Sequence, residues 1–118
     1  MRKLVFDEFE FDSPSSEERL EIHAACKRTD GIVEFRDLKA FVAASVGVDV
    51  IEKIGPARPF DDHASCSSVR AYLKRFASIE VPDPCQWKMY VLFVDDLEWD
   101  GIFETPNMFI RYHWLSTA

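Results

Sequence analysis

With 118 residues, 47% of them apolar and 14% aromatic, the chain is long enough to bury a core of its own and too hydrophobic to remain disordered. Its 21 acidic against 14 basic side chains give a net charge of −7, which argues against direct binding to nucleic acid or to an anionic membrane, since both need clustered Lys and Arg. Three cysteines (Cys26, Cys66, Cys85) without metal-ligand spacing, a start of MRKLVF that turns acidic by Asp7, and the lack of any long apolar run point to a single domain, 1–118, in the reducing cytoplasm.

In chain order, KLVFDEFEF (3–11) has strand composition, with Leu4 and Phe6 on one parity and Phe9 and Phe11 on the other, so a bulge near Asp7 and Glu8 is expected. DSPSSEERLEIHAAC carries two helix-start signals, Ser13 before Pro14 and the capping-box spacing of Ser15 and Glu18, and predicts a helix to about Thr29. Phe35, Leu38, Phe41, Val42 and Ser45 repeat at helical steps and predict a second helix ending near Gly47. DVIEKIGPARPFDD reads as a helical turn followed by a loop. A third helix is expected over 64–78, with Val69, Tyr72, Leu73 and Phe76 inward.

Pro82 and Pro84 separate this half from an aromatic, β-branched half. WKMYVLFV is apolar on both parities, as suits a strand covered on both faces. Asp100 and Gly101 are a hairpin signal, joining a strand through Trp99 to one starting at Ile102. NMFIRYHW places Met108, Ile110, Tyr112 and Trp114 on one strand face, although Thr105 and Pro106 also suit a helix start; strand is preferred. The expected fold is α+β, with about three helices packed on an antiparallel sheet that ends in a β-hairpin.

Three stretches invite a chemical reading. CKRTDGIVEFRD (26–37) mimics part of an EF-hand loop, but Cys26 and Arg28 would fall where calcium needs hard oxygen ligands, so a helix end at Gly31 is preferred. DDHASC gathers Asp61, Asp62, His63 and Cys66; as a zinc or catalytic cluster it supplies the alternative function of a small metal protein or enzyme, against helix capping by Asp61 or Asp62. His23 and Cys26 would adjoin on a helix, yet nothing near them in sequence orients the imidazole. With 4 glycines and no phosphate loop or hydrolase motif, no catalytic residue, metal or cofactor is expected.

Acid density is the remaining signal. VDDLEWDGIFE (94–104) holds five carboxylates, with no Lys or Arg between Lys88 and Arg111, and a second acidic run extends from Asp7 to Glu21. Solvated charge explains such runs in general. Trp99 and the aromatics around it add anchors of the kind that slow release of a partner, while the acids steer association with a basic one. The proposed contact residues are Asp95, Asp96, Glu98, Trp99, Asp100 and Glu104.

In size, acidity, α+β layout and the aromatic stretch WKMYVLFVDDLEWDGIFETPNMFIRYHW, the chain resembles the immunity proteins of bacterial polymorphic-toxin and contact-dependent growth inhibition systems. That resemblance implies binding and occlusion of a cognate toxin, often a basic nuclease, with no catalytic residues carried over. A phage-type inhibitor that mimics nucleic acid through its acid distribution is a further alternative.

Overall fold

The computed structural model describes residues 1–6, 18–27, 35–60, 69–80 and 86–116. Along the chain run β1 (Arg2–Phe6), β2 (Glu18–Cys26), α1 (Leu38–Ser45), a 3-10 helix (Val48–Lys53), β3 (Arg58–Pro59), α2 (Val69–Ala77), β4 (Lys88–Val94), β5 (Glu98–Glu104) and β6 (Met108–Ser116). The strands form one antiparallel sheet in the order β1-β2-β6-β5-β4-β3, so the fold is α+β.

Alternation in the three central strands gives the sheet two faces of different chemistry. Leu20, Ile22 and Ala24 of β2, Trp99 and Phe103 of β5, and Ile110, Tyr112 and Trp114 of β6 point one way and meet Val69, Leu73 and Ala77 of α2. Those α2 positions recur at i, i+4 and i+8, the spacing that places a stripe on one side of a helix. On the opposite face a smaller core forms where Phe41 and Val42 of α1 pack on Ala25, Ile102 and Phe109. Phe41 stacks on Phe109 with ring centroids 5.5 Å apart. The Asp37 side chain caps α1 by accepting from the Ala40 N–H at 2.9 Å, and Gly47 ends it, with its N–H on the Val42 carbonyl.

The helix expected from Ser13 to about Thr29 is, over its described part, strand β2. Its pairing with β6 runs unbroken from Glu18↔Ser116 to Cys26↔Met108, and β1 pairs with its other edge. Leu20, Ile22 and Ala24 follow a period of two, and tertiary burial on both faces outweighs the local capping signals. Residues 7–17, which contain most of those signals and the expected bulge, lie outside the described residues. The second helix, the third helix over 69–77, and the strand reading of 108–115 agree with the structure.

The hairpin tip expected at Asp100 and Gly101 also moves. Both residues sit inside β5, and the β4–β5 turn falls at 95–97, where the Asp95 N–H donates to the Glu98 carbonyl (2.9 Å) and the Asp95 side chain accepts from the Leu97 N–H (2.8 Å). Gly101 instead makes room for the Trp99 ring, which lies across it on the same face. A Cβ at Gly101 would stand 2.8 Å from Cζ3 of Trp99, closer than packed atoms tolerate. Gly101→Ala is therefore expected to destabilise the protein by about 2 kcal/mol, the scale of core overpacking. In urea denaturation this would lower the midpoint at an unchanged slope, and a midpoint equal to the parent's would show that the ring can yield.

Candidate functional site

The proposed contact residues separate into three environments. Asp95 and Asp96 are exposed at the β4–β5 turn. Glu98, Asp100 and Glu104 occupy the even positions of β5, facing the side of the sheet that α1 partly covers, and each has a basic or imidazole partner. Trp99, only 1% exposed, points to the other side into the main core. Its indole Nε1–H finds no acceptor among the described residues.

The absence of a nearby cation in the sequence is made good by register. Asp100 and Arg111, 8% and 9% exposed, form a two-pronged pair: Arg111 Nε donates to Oδ1 at 3.1 Å and Nη2 donates to Oδ2 at 2.8 Å. Glu98 accepts from His113 Nε2 at 2.6 Å, and Arg111 Nη2 reaches His113 Nδ1 at 3.4 Å. Glu104 pairs with Lys27 and accepts from the Tyr90 hydroxyl at 3.1 Å. Burial first, then the charge and hydrogen bond of Glu104, push the Tyr90 phenol up from its usual value.

Beside these pairs the same face carries a linked group that sequence spacing does not announce. The His23 ring bridges strand and helix, with Nδ1 2.6 Å from the Ser45 hydroxyl at the end of α1 and Nε2 2.6 Å from Glu21 Oε1. Burial is the main cause holding His23 below the usual imidazole range; Arg111 and Lys3 add to it, and Glu21 opposes it. A neutral ring then donates Nε2–H to Glu21 and accepts the Ser45 proton at Nδ1. Burial alone would raise the Glu21 carboxyl, but the hydrogen bond from His23 and the charges of His23, Arg111 and His113 outweigh it and hold it low. Three strands contribute, because Glu21 pairs with His113 and His23 with Arg111 across β2–β6, and His113 pairs with Asp100 across β6–β5.

Several sequence candidates take other places. His23 and Cys26 do not adjoin: on a strand, positions three apart lie on opposite faces. Asp37, at the end of the EF-hand-like stretch, is a helix cap. Asp61, Asp62, His63 and Cys66, and the acids from Asp7 to Glu17, lie outside the described residues, while burial pushes the Glu18 carboxyl up. Among the described residues no set of three or more His, Cys, Asp and Glu side chains converges as metal ligands, and no helix is long and apolar enough to cross a membrane.

The outward-facing feature is the end of the β4–β5 hairpin. The register of β4 shifts between Val91 and Phe93, a bulge that turns Phe93 toward the face of Asp100 and Val94 toward that of Trp99. Phe93, Val94 and Leu97 are left 49%, 53% and 47% exposed, immediately around Asp95 and Asp96. No protein-family model matches the chain, and neither the curated proteins nor the solved structures give a match.

Two predictions follow from the polar face. Arg111→Met leaves Asp100 buried without its counter-charge and is expected to cost about 3 kcal/mol or more, whereas Asp100→Leu combined with Arg111→Met should recover most of the loss. Chemical denaturation of the parent and the two variants measures both. The second concerns pH. Because His23 binds its proton less readily when folded than unfolded, its contribution is complete above an ordinary imidazole pKa of about 6.5 and is lost as pH falls from there toward its folded value. Glu21 acts in the same direction below about pH 4.5. Stability should thus decline between pH 7 and 5, and His23→Gln should flatten that decline; an equally steep decline in the variant would assign it elsewhere.

Proposed function

We propose that this chain is an acidic inhibitor of the immunity-protein kind, which binds a basic toxin domain and occludes it, with the end of the β4–β5 hairpin as the centre of contact. The observation that supports this reading is the exposed run from Phe93 to Leu97, in which Phe93 and Val94, on opposite faces of the hairpin, and Leu97 flank exposed Asp95 and Asp96. Apolar side chains held in solvent beside like charges are unfavourable for an isolated fold and favourable for a docking surface, where the apolar groups slow dissociation and the acids speed encounter.

Glu98 extends the acidic rim, since its side chain remains 30% exposed while paired with His113. Trp99 and Asp100 act from beneath: the ring fills the core under the hairpin and the Asp100–Arg111 pair fixes the strand. Glu104, held by Lys27 and Tyr90 at the far end of β5, supports the strand in the same way. The chain's −7 charge supplies the long-range attraction for a cationic partner.

The test is capture from a lysate of the native host in low salt, with the parent protein and a Phe93→Ser, Leu97→Ser variant as parallel baits. A basic protein is expected on the parent and not on the variant. With that partner purified, Asp95→Lys together with Asp96→Lys should slow association by about tenfold at low ionic strength and by much less at high salt. A partner that binds parent and variants alike would remove the hairpin from the interface.

A further inference from the structure

Cys26 is the last residue of β2 and Met108 the first of β6, and the register sets them directly opposite one another. One step beyond, the Lys27 N–H donates to the Asn107 carbonyl at 2.7 Å, which makes that step a hydrogen-bonded pair and Cys26–Met108 a non-hydrogen-bonded one. Pairs of this kind stand closest, with Cα atoms about 4.5 Å apart and both side chains on one face of the sheet. The two residues line a groove of about 560 Å³ together with Met1, Arg2, Ala24 and Ala25. Cys26 is exposed and in no disulfide, and Met108 is half-buried.

We propose that this groove binds copper(I), held by the Cys26 thiolate and the Met108 thioether, with the Met1 thioether as a third ligand. The donor set carries the assignment. Of the six lining side chains three contain sulfur, two are alanines that leave room, and the sixth belongs to Arg2, whose guanidinium donates to the Ala77 carbonyl at 2.8 Å. None of the six brings a carboxylate, an imidazole or a hydroxyl. Calcium and magnesium need hard oxygen ligands, and zinc sites are built from thiolate, imidazole and carboxylate, of which the groove supplies a single thiolate. Thiolate and thioether together are the soft ligands that select copper(I).

Charge and backbone order agree with that choice. Capture of copper(I) releases the thiol proton to water and leaves the metal's oxidation state unchanged, so the groove gains no net charge beside Arg2. Both sulfur-bearing residues sit in an unbroken ladder that runs from Glu18↔Ser116 to Cys26↔Met108, so no loop must be ordered on binding. The groove lies at the Met108 end of β6, whereas the proposed docking surface lies at the other end, where Leu115 pairs with Glu98 beside the β4–β5 turn.

The test uses the full chain with Cys66→Ser and Cys85→Ser, so that Cys26 is its one thiol. Anaerobic titration with copper(I) against a chromophoric chelator is expected to show one equivalent bound, and Cys26→Ser should abolish it. Met108→Leu keeps the side-chain volume and removes the sulfur; it should weaken binding by about tenfold or more, since even an outer partner of a metal site is worth that much. X-ray absorption at the copper edge should show a first shell of sulfur with no oxygen or nitrogen. Equal binding by Met108→Leu, the behaviour of a solitary thiol, overturns the proposal. So does zinc(II) bound as tightly as copper(I), or a copper shell containing oxygen or nitrogen. Circular dichroism checks the fold of each variant; if the Cys66→Ser, Cys85→Ser background is unfolded, Cys26→Ser and Met108→Leu are compared in the parent chain, where each should remove or weaken one bound equivalent. None of these readouts depends on the toxin-binding proposal.

Discussion

The three central strands of the sheet are enclosed on both faces over much of their length, and a charged side chain placed there must find its counter-charge inside the protein. Water cannot solvate it well, and an unpaired buried ion costs several kcal/mol. The Asp100–Arg111 pair is the direct expression of this constraint, and the Glu98–His113, Glu21–His23 and Glu104–Lys27 contacts extend it across the same face. Satisfied in this way, the polar groups also specify register. A slip of one residue in β6 would send Arg111 into the apolar core and Tyr112 toward the carboxylates.

This enclosure divides the acids of the 94–104 stretch by role. Those on β5 are engaged with Arg111, His113, Lys27 and Tyr90, and their charge stiffens the sheet. The two in the turn project into solvent next to apolar side chains that the fold does not bury. A dense acidic sequence thus becomes a modest exposed patch at the end of a strongly supported strand, which under the proposed inhibitor function would present a rigid contact surface.

What could be read in the sequence depended on which force dominated locally. α1 and α2 carry their apolar stripes at helical spacing, and β6 is rich in aromatic and β-branched residues, so local pattern and tertiary burial agree. β4 is a strand as its composition suggests, but the expected cover on both faces is incomplete, since of its residues only Met89 is buried and Phe93 and Val94 are exposed. In β2 they conflict: Leu20, Ile22 and Ala24 alternate as a strand requires, but the capping signals just upstream favour a helix, and the outcome is decided by β1 and β6 on either side. Gly101 misleads for a different reason. Beside Asp100 it looks like a turn residue, whereas its lack of a side chain serves the Trp99 ring. The imidazole contacts are the least legible part, because strand register brings Glu21, His23, Arg111 and His113 together and the packing of α1 on the sheet adds Ser45.

The β2–β6 ladder also governs when the protein can come into being. It joins residues 18–26 to residues 108–116, so the middle of the sheet is built from two segments that nearly the whole of the described chain separates. Until β6 has left the ribosome, β1 and β2 form a lone two-stranded ribbon with Leu20 and Ile22 in water, too small to be stable by itself. The loop that must close is long, and its entropy is lost before the core repays it, which places the chain among slower-folding topologies. Formation of the sheet consequently waits for β6, and any fragment lacking that strand displays an apolar ribbon to chaperones and proteases.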